Sequence, residues 1–153
     1  MATFKFRFEA VLRQRQLVED ECQRDLAKLL RQRMIVENQL RQMQQTISQS
    51  KHDLGDALVG RVDLEQVGHF ARYSAQAAIR AQQIVRELAR LEQQIEKARL
   101  RLADAMRMRK AMELLRDREY EKWKRERERR EAIELDDMAN QAYARQMMIG
   151  ATT

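Results

Sequence analysis

From Val67 to Met112, apolar or small residues recur at alternating steps of three and four. Val67, Phe70, Ser74, Ala77, Ala81, Ile84, Leu88, Leu91, Ile95, Ala98, Leu102, Ala105 and Met112 lie on this track, and Arg109 alone intrudes. A mean step of about 3.5 residues is the seam of a coiled coil, slightly shorter than the repeat of a straight helix. The chain contains no proline, so nothing in it breaks a long helix. A long helix with one narrow apolar stripe needs a partner helix, and the rest of the chain must supply it. Aromatic residues make up 5% of the sequence and charged residues 35%, which leaves few large side chains to fill a layered core.

The partner stripe lies in the first third of the chain. Phe8, Leu12, Arg15, Val18, Cys22, Leu26, Leu29, Arg33, Val36, Leu40, Met43, Ile47, Ser50 and Leu54 follow the same spacing and predict a first helix over 6–52. Just before it, Phe4, Phe6 and Phe8 alternate with Lys5 and Arg7 as in a strand, but the run is too short to build a sheet. The pattern lapses over 53–62, where Gly55 and Gly60 predict a turn. Asp63, with Gln66 three residues on, has the form of an N-cap with its capping partner and starts a second helix over 64–146. The expected fold is all-α: one antiparallel two-helix coiled-coil hairpin occupying 1–153, its second helix the longer.

Folding the two stripes together about this turn predicts a register. It sets Leu26 against Leu91, Leu29 against Leu88, Cys22 against Ile95 and Ile47 against Phe70. Leu40, Val36 and Met43 then meet Ala77, Ala81 and Ser74, large against small as a filled seam requires. Arg15 would face Leu102 and Arg33 would face Ile84, each laying its stem on the stripe and its guanidinium in water. Oxidative closure of Cys22 onto an Ile95→Cys substitution follows from this register.

The second stripe fades at Met112 to Leu115, level with the start of the first helix, so pairing is expected to end there. Beyond it, Arg116 to Glu131 is polar on nearly every side. Pairs with the acid four residues before the base, Glu121 with Arg125 and Glu126 with Arg130, can hold a single helix in water. The second helix is expected to continue as an unpaired arm, a rod of about 120 Å against about 70 Å for the first. Tyr120 and Trp123 have nothing within such a chain to cover them and point to a partner contact. Met106, Met108 and Met112 are read as packing beside the seam, with a soft surface for varied partners as the other reading. Tyr73 falls off the seam near the turn and is a second candidate contact.

Chemistry is sparse. His52 and His69 are the only histidines, and with the single Cys22 they offer no metal-ligand cluster. No glycine-rich phosphate loop, nucleophile elbow or catalytic triad is present, and Asp136 and Asp137 form a surface carboxylate pair. No catalytic residue, metal site or cofactor is expected. The net charge of +6 raises nucleic acid as a partner, yet glutamates interleave the arginines and no basic face carries stacking aromatics. No apolar run has the length of a membrane span, no signal-peptide core opens the sequence, and the lone cysteine fits a reducing compartment. The expectation is a cytoplasmic protein that works by contact and is not inserted in the membrane.

Four stretches carry a resemblance. The opening FKFRFEAVLRQR (Phe4 to Arg15), then LARLEQQIEKAR (Leu88 to Arg99), RKAMELLRDR (Arg109 to Arg118) and RREAIELDDMA (Arg129 to Ala139) resemble the FliJ proteins of the bacterial flagellar export apparatus. That family is related to the stalk proteins of virulence type III secretion and is similar in fold to the rotary stalk of F-type ATPases. The resemblance implies a protein of flagellum biogenesis and motility. Its partners would be a hexameric export ATPase, whose ring assembly and hydrolysis it promotes, the cytoplasmic domain of the export gate, and export chaperones. It would act at the inner-membrane base of the apparatus. It assigns ring contacts to Arg7, Arg13, Arg116, Arg118, Arg125, Arg129 and Arg130, to which Trp123 is added from its place in the arm. Gate contacts fall on Phe70 and Tyr73, although Ala77 is smaller than the apolar residue expected in a gate patch. Two other readings stand beside this one: a scaffold or nucleic-acid binder acting through its basic surface, and the equivalent stalk of a virulence secretion system. A half-paired stripe can also recruit a second copy of the chain.

Overall fold

A computed structural model describes residues 3–150. The chain forms two helices packed against each other, α1 (Glu9–Ala57) and α2 (Leu64–Gly150), of 49 and 87 residues. No strand occurs among the described residues. This is the expected two-helix hairpin with a longer second helix.

The ends of the helices have local causes. Phe4 to Phe8 stay outside α1. The Phe6 and Phe8 carbonyls accept from the Glu9 and Leu12 amides, and Glu9 places a carboxylate in the first turn, where the helix dipole favours it. At the other end α1 runs through Gly55 to Ala57, five residues beyond the expected end. Leu54 still lies on the stripe, half-buried, and its carbonyl accepts from the Leu58 amide. The reversal belongs to Gly60, whose φ of 110° is open to glycine at little cost. Asp63 caps α2 as expected, its Oδ1 accepting from the Glu65 amide at 2.9 Å, but Gln66 returns no bond and the capping box is not closed. The second helix extends four residues beyond its expected end.

Contacts divide the hairpin into two compact units, one of residues 18–105 and the other of the chain before Val18 together with the chain after Ala105. In the first unit, Val36, Ile84 and Leu91 form a buried cluster, with Leu29, Leu40, Met43 and Leu88 packed against it. Ile95 is 0% exposed, and Ala77, Ala98 and Ala105 are buried on the same track. Cys22, Leu26, Ile47 and Leu102 are half-buried. Two residues of the longer stripe are exposed: Phe8 at 36%, ahead of the first turn of α1, and Val18 at 38%, while Glu19, the neighbour of Val18, is 7% exposed. Strict alternation from Arg15 steps by four to Glu19 and then by three to Cys22; following apolar character instead of spacing selects the wrong neighbour.

The register differs from the expected one by a heptad. Arg33 donates to Glu92 at 3.0 Å, which sets it level with Leu91 and not with Ile84. Leu29 borders a groove with Gln94 and Ala98, and Met43 borders one with Ala77 and Arg80. Leu29 therefore lies level with Ile95 rather than Leu88, Leu26 with Ala98 rather than Leu91, Ile47 with Ala77 rather than Phe70, and Cys22 with Leu102 rather than Ile95. A seven-residue slip, about 10 Å along the axis, keeps every seam position on a seam position, so the apolar pattern does not oppose it. The flanking charges do: the observed register brings Glu92 to Arg33. The longer α1 also moves the pivot toward Gly60. A Leu102→Cys variant is therefore expected to close a disulfide with Cys22 on mild oxidation, with Ile95→Cys remaining reduced. Non-reducing electrophoresis of the monomer checks this, and preferential closure in Ile95→Cys would restore the other register.

Candidate partner-binding arm

The second unit carries every residue assigned to ring contact. Its base is packed: Leu12 and Phe6 are buried, Phe6 meets the Phe8 ring edge-on at 5.9 Å, and the Arg15 guanidinium reaches the Met108 sulfur at 3.2 Å. Arg109 pairs with Glu113 at 2.7 Å, so the arginine that intrudes on the α2 stripe is met by a carboxylate one turn on.

Pairing does not end at Leu115. Phe4 crosses to α2 and sets its ring edge-on to Tyr120 at 5.3 Å and tilted to Trp123 at 5.8 Å, while Tyr120 and Trp123 stack on each other at 5.9 Å. The Arg127 guanidinium lies over the Trp123 ring, 5.3 Å from its centroid. Such edge and cation contacts each add roughly 0.5–1.5 kcal/mol to the burial itself. The two aromatics expected to need an outside partner thus find cover in the chain, although Tyr120 is still 44% exposed. The alternating Phe4, Phe6 and Phe8 are the signal: an extended segment can run on along α2 past the first turn of α1. The expected register hides it by setting Phe4 several residues short of Tyr120.

The proposed contact residues separate accordingly. Arg116 is held by Glu9 at 3.8 Å, and Arg7 lies over the Phe8 ring at 5.6 Å, so both serve the base of the unit. Trp123 is half-buried under Phe4. Arg13, Arg118, Arg125, Arg129 and Arg130 are exposed and make no ion pair among the described residues. The expected pairs Glu121 with Arg125 and Glu126 with Arg130 are not formed; Arg127 with Glu131, at 3.0 Å, is the pair that is. From Lys124 to Ile149 every residue is exposed, including Ile133, Leu135, Met138, Tyr143, Met147 and Met148. In the unit of residues 18–105, Phe70 is half-buried on the seam, and Tyr73 stands beside it at the edge of the groove with Met43 and Arg80. Both gate candidates thus belong to the other unit from the ring candidates.

The described residues hold no group of three or more His, Cys, Asp or Glu placed to bind a metal ion, and no described helix is long and apolar enough to cross a membrane. What the arm offers is a long exposed helical surface dense in charge. A family model described as Flagellar FliJ protein matches residues 4–148. No curated protein and no solved structure matches the chain.

Proposed function

We propose a stalk role for this chain, which belongs to the FliJ family and is a component of the flagellar export apparatus. The family is a non-enzymatic accessory of export. In this reading the exposed arm of α2 enters or caps the hexameric export ATPase, favours assembly of the ring and raises its hydrolysis. Phe70 and Tyr73 face the cytoplasmic domain of the export gate, at the inner-membrane base of the apparatus, and chaperones can be handed along the same surface. The observation that carries the reading is the contrast along α2: apolar seam residues are buried or half-buried as far as Ala105, whereas from Lys124 to Ile149 the helix is exposed on all sides and rich in both charges.

A six-fold ring around one helix cannot make six equal contacts. The helix therefore favours one subunit arrangement over the others, and only a difference in affinity between states is needed to shift their populations. Dispersed charge gives such contacts with fast exchange. Binding to the assembled ring and not to separated subunits also draws the equilibrium toward the ring by mass action. Sedimentation of the export ATPase at fixed nucleotide, with and without this chain, tests that. The expected result is a hexamer peak that grows as the chain is added; an unchanged distribution, with the chain shown helical, would remove the assembly role.

A further inference from the structure

The segment ahead of α1 is held unevenly. Phe6 is buried and its carbonyl accepts from the Glu9 amide, so the end nearest the helix is anchored. Toward Thr3 the ties run out. Among the described residues, no ion pair and no backbone hydrogen bond joins Thr3, Phe4 or Lys5 to α2. What holds this end is the Phe4 ring, 5.3 Å from Tyr120 and 5.8 Å from Trp123. Beside that ring the packing is loose, and a groove of about 440 Å³ opens between Phe4, Lys5, Phe6, Glu9 and Arg116. A contact of one ring without hydrogen bonds opens locally, before the structure around it unfolds. The floor beneath Phe4 stands without it: Tyr120 and Trp123 stack on each other at 5.9 Å, one turn apart on α2, with the Arg127 guanidinium over Trp123.

We infer that Phe4 is a reversible clasp over a docking site: the face formed by Tyr120 and Trp123 receives an aromatic side chain carried on a non-helical, basic segment, and in the free chain Phe4 itself occupies it. The structure shows the occupant that this face accepts. Phe4 lies outside any helix and is followed by Lys5, and its ring meets Tyr120 edge-on, the geometry that aromatic pairs prefer. Charge suits the same kind of segment. Glu119 and Glu121 flank Tyr120 and neither makes an ion pair among the described residues, so both can meet a cation of an incoming segment. Tethering favours the chain's own Phe4 over that of a second copy, because a short link holds the ring at a millimolar effective concentration. A partner segment displaces Phe4 only by adding contacts of its own. The clasp thus sets a threshold for docking, and it does so whatever the rest of the arm meets.

Trp123 is the only tryptophan in the chain, so its fluorescence reads the clasp directly. Acrylamide quenching is measured on the full chain, on Phe4→Ala and on Phe4→Tyr, beside the thermal melt of each by far-ultraviolet circular dichroism. In Phe4→Ala the quenching constant is expected to rise about twofold with the melt unmoved, and Phe4→Tyr is expected to keep the unaltered value. A synthetic peptide of residues 3–8, at millimolar concentration, is expected to return the quenching of Phe4→Ala toward the unaltered value and to leave the unaltered chain, whose face is filled, nearly unchanged. A melt of Phe4→Ala that falls in step with the rise in quenching makes Phe4 a structural part of the fold and overturns the clasp, as does quenching that does not change. A peptide without effect on Phe4→Ala overturns the docking site. Equal protection by a peptide with leucine at all three phenylalanines overturns the aromatic occupant.

Discussion

Replacing Ile95 with alanine should cost the hairpin about 2–4 kcal/mol, within the range for truncating a buried isoleucine. Ile95 is the one seam residue with 0% exposure, flanked on its own helix by buried Leu91 and Ala98 and level with Leu29 across the seam. A two-helix hairpin has no second layer of side chains to collapse into the space, so most of the loss should be felt. Against a total stability of about 5–15 kcal/mol for a folded domain, that is a large share. The melting temperature followed by far-ultraviolet circular dichroism should fall by roughly 5–15 °C. Leu100→Ala, on the same helix but with its side chain 66% exposed, should stay within ~0.5 kcal/mol of the parent. Equal losses in the two variants would mean that the seam does not carry the fold.

That seam was legible because it depends on spacing alone. The residues of the α2 track from Val67 to Met112 are buried or half-buried, and Asp63 marks where the helix begins. What spacing does not determine is the axial register, since a heptad slip returns seam to seam. The register is resolved by Arg33 reaching Glu92 and Glu9 reaching Arg116, which are contacts between positions distant in the sequence. Glu19 was hidden by an apolar neighbour, and Gly55 misled because an exposed helical glycine costs only about 1 kcal/mol against alanine and need not end a helix.

The candidate site was legible in part for the same reason. The arm and its charged character are evident in Arg116 to Glu131. Which of its side chains are free is not, because Phe4 and Glu9 engage Trp123, Tyr120 and Arg116 from the far end of the other helix's sequence. Composition alone gives Arg116 and Arg129 equal standing; contacts between the chain's two ends separate them.

Removing the arm should have the largest functional effect. A version ending at Leu115 retains the seam from Leu12 to Met112 and loses Tyr120, Trp123 and all of the exposed helix beyond. Phe4 loses its aromatic partners, but Leu12 and the buried cluster around Val36, Ile84 and Leu91 do not depend on them. Its mean helicity per residue should therefore stay close to that of the full chain. If the arm is what acts on the ring, this version should fail to stimulate hydrolysis even at concentrations where the full chain has reached its maximum effect.

The steady-state ATP hydrolysis rate of the cognate export ATPase, measured alone, with the full chain and with the helical version ending at Leu115, tests the stalk most directly. Stimulation by the full chain and none by the shortened one is the predicted result. Equal stimulation by both, or none by either while both remain helical, would contradict it.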